Sequence, residues 1–114
     1  MLIEFDKIPE KVIPNFKGGE KEFCVRMFDD GDNKIMKGRL APGASIGLHT
    51  HSGNCEIVFV LSGEGKMLCD GVYEPLSAGS CTYCPNGHEH SLINDSSADL
   101  VFCAVVSEKT HKGE

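Results

Sequence analysis

Along the chain, short apolar runs alternate with clusters of turn residues, and no stretch shows the 3.6-residue periodicity of an amphipathic helix. EFCVRMF (22–28) and KIMKGRL (34–40) flank DDGDN, which predicts a hairpin with Asp30-Gly31 near its tip. Further short runs follow: ASIGLHTH, CEIVFVL, GKMLC, VYEPL, SCTYC, HSLIN and LVFCAVVS, with Asp70-Gly71 marking a second tight turn. Strands this short and this closely spaced predict an all-β sandwich or barrel. The first nineteen residues, with Pro9, Pro14 and the pair Gly18-Gly19, predict an irregular or edge segment. Residues 107–114 read as a polar tail. No linker, repeat or low-complexity tract divides the chain, so residues 1–114 are expected to form one domain.

Composition agrees with that picture. The 114 residues are 40% hydrophobic and 25% charged, with thirteen glycines and five prolines, which fits a turn-rich domain with one core. A formal charge of −6, with eleven scattered basic residues, excludes a phosphate-binding stripe of the kind nucleic acids require. There is no apolar run of membrane-spanning length, and MLIEFDKIPE places Glu4 and Asp6 where a secretion signal would be basic and then apolar. A cytoplasmic location and six reduced cysteines are therefore expected. The acidic DDGDN turn lacks the ligand alternation and closing Glu of an EF-hand, so it reads as a solvated turn.

The chemistry concentrates in GLHTHSGNCEIVFVLSGEG (47–65) and CPNGHEHSLIN (84–94). Side chains alternate along a strand, so His49 and His51 project to one side. Glu56 lies at an odd offset from His49. If Ser52-Gly53-Asn54 breaks the strand, Glu56 can begin a second strand and point back at the imidazoles, with Val58 and Val60 on the same interior face. In the second segment His88 and His90 share parity, and either can supply a third imidazole. Three imidazoles and a carboxylate at an apolar wall suit a divalent Mn, Fe, Co, Ni or Zn ion, which compensates the cost of burying them. Coordination requires neutral histidine, so metal affinity is expected to fall below about pH 6.

The spacing of these residues resembles both signatures of the cupin superfamily. The first runs Gly43, five residues, His49-Thr50-His51, four residues, Glu56, six residues, Gly63. The second runs Gly79, five residues, Pro85-Asn86-Gly87, two residues, His90, three residues, Asn94. The resemblance implies an antiparallel jelly-roll barrel holding one divalent transition metal (Mn, Fe, Ni, Zn, Co or Cu) on His49, His51, Glu56 and His90, and it selects His90 over His88. It also implies a homodimer, with the segment before Gly19 as the candidate for strand exchange.

Other residues invite functional readings. Arg26 and Arg39 are candidate anchors for a substrate carboxylate, and Tyr83 is a candidate pocket donor or weak acid. Cys81 and Cys84 are three apart in a predicted strand, which sends the thiols to opposite faces and favours inert packing over a redox pair. Cys55 is expected to face away from the barrel interior, and His88 and His111 are expected at the surface. Members similar to this chain include dioxygenases, decarboxylases, isomerases and lyases. The leading expectation is therefore a metal-dependent enzyme acting on a small organic molecule. The alternative is a non-catalytic metal- or ligand-binding module, because no further acid or base is aimed at the site.

Overall fold

The computed structural model describes residues 1–108, so His111 and most of the polar tail lie outside the described residues. Ten strands follow in order: β1 (Lys11–Pro14), β2 (Glu22–Asp29), β3 (Asn33–Leu40), β4 (His49–Thr50), β5 (Asn54–Ser62), β6 (Glu64–Cys69), β7 (Val72–Ser77), β8 (Cys81–Cys84), β9 (Glu89–Ile93) and β10 (Leu100–Glu108). Two short 3₁₀ turns, Phe5–Lys7 and Phe16–Gly18, are the other regular elements among the described residues. No described helix is long and apolar enough to cross a membrane.

The strands form two antiparallel sheets, ordered β1-β2-β3-β10-β5-β8 and β4-β9-β6-β7. This is a jelly-roll arrangement, the sandwich-or-barrel class that the strand spacing predicts and the particular form that the resemblance implies. Both expected tight turns are present. β2 and β3 are joined at Asp30–Asp32, where the Asp30 carboxylate accepts the Asp32 and Asn33 amides at 3.0 and 2.8 Å. β6 and β7 are joined by Asp70-Gly71 with φ of 48° and 82°, the double left-handed turn that matches the twist of a two-residue hairpin. The amino-terminal segment forms the edge of its own sheet: β1 pairs with β2 in the register Lys11 to Val25 through Pro14 to Glu22.

Alternation along these strands fills the space between the sheets. Phe23, Met36, Leu40, Val58, Val60, Phe102 and Ala104 come from the larger sheet, and Met67, Leu76 and Leu92 from the smaller one. Val58 and Val60 face inward as the parity from Glu56 predicts, at 2% and 3% exposure. Asn94, the last residue of the second signature, is fully buried and structural. Its amide donates to the Leu40 and Ala98 carbonyls at 2.8 Å each, and its oxygen accepts the Ser96 amide and hydroxyl at 2.9 and 2.7 Å. That bond set ties the β9–β10 connection to the end of β3 and leaves no polar atom of the side chain unsatisfied.

Candidate metal centre

His49, His51, Glu56 and His90 come together at one end of the barrel interior, with their donor atoms all within 4.8 Å of one another. β4 and β9 of the smaller sheet place His49 directly opposite His90. β5 of the larger sheet supplies Glu56, so the cluster bridges the two sheets. His51 follows β4 in a loop held by the second signature's turn: the His51 amide donates to the His88 carbonyl at 2.9 Å, the Gly87 amide donates to the His51 carbonyl at 2.6 Å, and Asn86 Oδ1 accepts the Gly53 amide at 2.8 Å. The Pro85-Asn86-Gly87 turn thus positions a histidine of the other segment.

Two imidazoles are oriented through their far nitrogens. His49 Nδ1–H donates to the Gly47 carbonyl at 2.7 Å, and His51 Nδ1–H donates to Asn54 Oδ1 at 2.6 Å, which turns both Nε2 atoms toward Glu56. His51 Nε2 and His90 Nε2 lie 3.0 and 2.8 Å from Glu56 Oε1, and 3.0 Å from each other. His49 Nε2 is 4.0 Å from the same oxygen. Two donors bonded to one ion at about 2.1 Å stand no more than about 4.2 Å apart. The observed separations of 2.8 to 4.0 Å fall within that span. The donor set therefore fits a divalent metal ion.

Electrostatics point the same way. Burial pushes the Glu56 carboxyl upward, but hydrogen bonds from His51 and His90 outweigh it and bring the group down to about 2. The hydrogen bond to Glu56 raises His51 above its usual value against its own desolvation, while burial lowers His49. A metal must therefore displace a proton that His51 holds more tightly than a free imidazole does. Protonation of the imidazoles thus opposes metal binding, and affinity is expected to fall on acidification. Affinity for Co²⁺, titrated between pH 8 and 5, should fall by about tenfold per pH unit for each proton displaced. In the metal-free fold His51 contributes the opposite dependence, and His49, with its lowered value, contributes one of the reverse sign. His51, with its raised value, contributes stability that is complete below about 6.5 and is lost as pH rises through the folded value. The rise in melting temperature on adding metal should accordingly be larger at pH 8 than at pH 6. An affinity flat from pH 7.5 to 5 would count against a histidine-rich site.

The other expected site residues are placed elsewhere. Arg39 makes a bidentate pair with Glu10 at 3.0 and 3.1 Å, and Arg26 donates to the Ile8 carbonyl at 2.6 Å. Neither lines the cavity beside the histidines. Tyr83 sits across from Ile57 on the face of β5 opposite Glu56 and is 55% exposed. His88 is half exposed and pairs with Asp70 at 2.5 Å, away from the cluster. All six cysteines are free; Cys81 is exposed and Cys84 buried, as odd spacing requires. Burial raises the Cys84 thiol to about 12, which makes it unreactive as a nucleophile. Cys55 alternates away from Glu56 and is buried. Sequence reasoning missed Asn54, which orients His51, and Lys17 and Lys34, which line the cavity. Asn54 stands two residues before a ligand in the turn that redirects the chain, a weak signal. Nothing local marks the lysines.

A jelly-roll barrel with three histidines and one glutamate converging at a cavity wall is an arrangement compatible with a metal ion. The cupin domain family matches residues 36–106, and the chain belongs to that family. An oxalate-binding protein of Thermotoga maritima is 33% identical over 112 residues, covering 93% of each chain. A crystal structure of a predicted oxalate decarboxylase from Thermotoga maritima superposes with a TM-score of 0.89 at 31% identity, over 95% of this chain and 99% of the other. A sugar phosphate isomerase of Silicibacter pomeroyi shares the fold, with a TM-score of 0.78 at 22% identity over 95% of this chain and 76% of its own.

Proposed function

We propose that this protein is a metal-dependent cupin that captures a small carboxylate of the oxalate class and retains it. The observation that carries the reading is the composition of the cavity beside the four-residue cluster. Its volume is about 180 Å³, below the range of drug-sized ligand sites, so it suits a molecule of few heavy atoms. Apolar walls from Phe102, Met36 and Leu92 exclude water and strengthen charge interactions inside. His49, His51, Glu56 and His90 would hold the ion. A divalent ion there would supply Lewis acidity and further coordination positions for carboxylate oxygens. The similarity to an oxalate-binding protein supports the ligand class.

Retention is favoured over turnover by what else lines the cavity. Glu56 is the one carboxylate among the described lining residues, and its oxygen is engaged by His51 and His90. No tyrosine or cysteine joins it. A decarboxylase must deliver a proton to carbon, and an isomerase or lyase must remove one. Beyond the ligand set, the lining residues with polar side chains are Lys17, Lys34, Thr50 and Asn54. These side chains offer hydrogen-bond donors that bind and orient anions.

The test is calorimetric titration of Co²⁺-loaded protein with oxalate, combined with a formate and CO₂ assay of the same samples. We expect saturable binding at one site without product. Product at a steady rate would replace the binding reading with the enzymatic one. No binding of oxalate to the loaded protein would exclude both.

A further inference from the structure

We infer that Lys17, carried over the cavity by the strap from Asn15 to Lys21, is the element that selects a dianionic ligand. The inference rests on the proposed capture of a small carboxylate at the metal centre and adds a residue and a charge rule to it.

The strap is built to a fixed conformation. Asn15, Lys17 and Lys21 all adopt left-handed backbone angles, with φ of 51°, 57° and 57°. Such angles cost a non-glycine residue free energy and persist only where the surroundings impose them. Here they are imposed by a dense set of bonds. The Asn15 amide donates to the Lys21 carbonyl at 2.7 Å, and Asn15 Nδ2 donates to the Gly19 carbonyl at 3.0 Å. Glu20 and Ser45 exchange two bonds at 2.9 Å, and Lys21 Nζ donates to the Pro42 carbonyl at 2.8 Å.

The strap also docks directly on the approach to the metal cluster. The Gly47 amide donates to the Phe16 carbonyl at 3.0 Å, and a Cβ built on Gly47 would stand 2.0 Å from the Lys17 carbonyl oxygen. Only glycine permits that backbone contact. Gly47 is the residue whose own carbonyl orients His49, so the strap and a ligand share one anchor. Phe16 lines the cavity and packs on Phe23 at 5.3 Å between ring centroids. Lys17 Nζ lies 5.5 Å from the Phe16 ring centroid, and Lys17 also lines the cavity.

Charge completes the case. The chain is acidic overall, at −6, yet the cavity lining holds two lysines against a single glutamate. Neither Lys17 nor Lys34 has a carboxylate within salt-bridge distance among the described residues. A divalent ion on one glutamate leaves one positive charge at the centre, and a monoanion would neutralise it. Lys17 and Lys34 add more than the charge that a second carboxylate requires, and Lys17 is the one carried on the strap anchored at Gly47.

The test uses Co²⁺-loaded wild type, Lys17→Met, Lys17→Arg and, as a surface control, Lys11→Met, titrated calorimetrically with oxalate, malonate and acetate. Cobalt content and the visible Co²⁺ spectrum establish that the metal centre is intact in each variant. Wild type is expected to prefer the dianions, and Lys17→Met to lose about tenfold or more of dianion affinity, with acetate changed less than about twofold. Lys17→Arg should retain most of the preference, and Lys11→Met all of it. Unchanged dianion preference in Lys17→Met, or equal binding of acetate and dianions by wild type, would overturn the inference while leaving carboxylate capture intact. Failure of wild type to bind any of the three would remove both.

Discussion

Replacing His90 by alanine should weaken metal binding by more than about 100-fold, whereas His88→Ala should change it by less than about threefold. The two histidines are two residues apart, His88 just before β9 and His90 within it, yet their surroundings differ completely. His90 is 3% exposed, with Nε2 2.8 Å from the Glu56 oxygen and 3.0 Å from His51 Nε2. His88 is half exposed and turned to Asp70. Changes to residues that merely orient a ligand commonly cost 10- to 100-fold, so loss of a donor atom itself should exceed that range. The measurement is competition for Co²⁺ with a chelator of known affinity, supported by elemental analysis of protein purified without a histidine tag. In the double variant His49→Ala/His51→Ala no stoichiometric metal should remain. Comparable losses in His90→Ala and His88→Ala would refute the ligand assignment.

The second large effect belongs to the barrel floor. Phe102→Ala should destabilise the protein by about 3–5 kcal/mol and lower the melting temperature by about 10–20 °C. Phe102 is 1% exposed, stacks on Phe23 with ring centroids 6.0 Å apart and planes 10° apart, and lines the cavity. Its neighbour across the strand pair is Gly38, where an added Cβ would lie 2.7 Å from both rings. The two phenylalanines therefore occupy space that any other residue at position 38 would take. Thermal melts of Phe102→Ala and Phe102→Leu separate the terms, since leucine keeps most of the buried volume and should cost less. A loss below about 1 kcal/mol in the alanine variant would mean that the core closes around the missing ring.

Much of the architecture is legible in residue order because strands and tight turns are local. Asp70-Gly71 supplies the paired left-handed angles of a two-residue hairpin, and the alternation from Glu56 through Val58 and Val60 sets which side chains enter the barrel. The histidine cluster is legible for a related reason: His49 and His51 share a face by parity alone, and the glycine-bearing break before Glu56 allows the chain to fold back. Between His88 and His90, parity is silent, and the choice came from resemblance to the cupin signatures. The structure gives the physical ground, since β9 pairs His90 with His49.

Other features depend on contacts between segments far apart in the chain. Arg26 and Arg39 carry the right chemistry for a carboxylate but are claimed by the Ile8 carbonyl and Glu10, partners contributed by the edge segment. Lys17 stands in a segment that looks featureless, and only its docking on Gly47 brings it to the cavity. Asn94 reads as a signature position, while its work is to bond Leu40 across the barrel. The order of residues by itself determined the strands, the turns, the inward faces and the set of donors offered. Tertiary structure alone decided which donors converge, which cations stand at the cavity, and how large that cavity is. Periodicity and turn angles are properties of neighbouring residues, whereas convergence and pairing arise from long-range packing that no local pattern encodes.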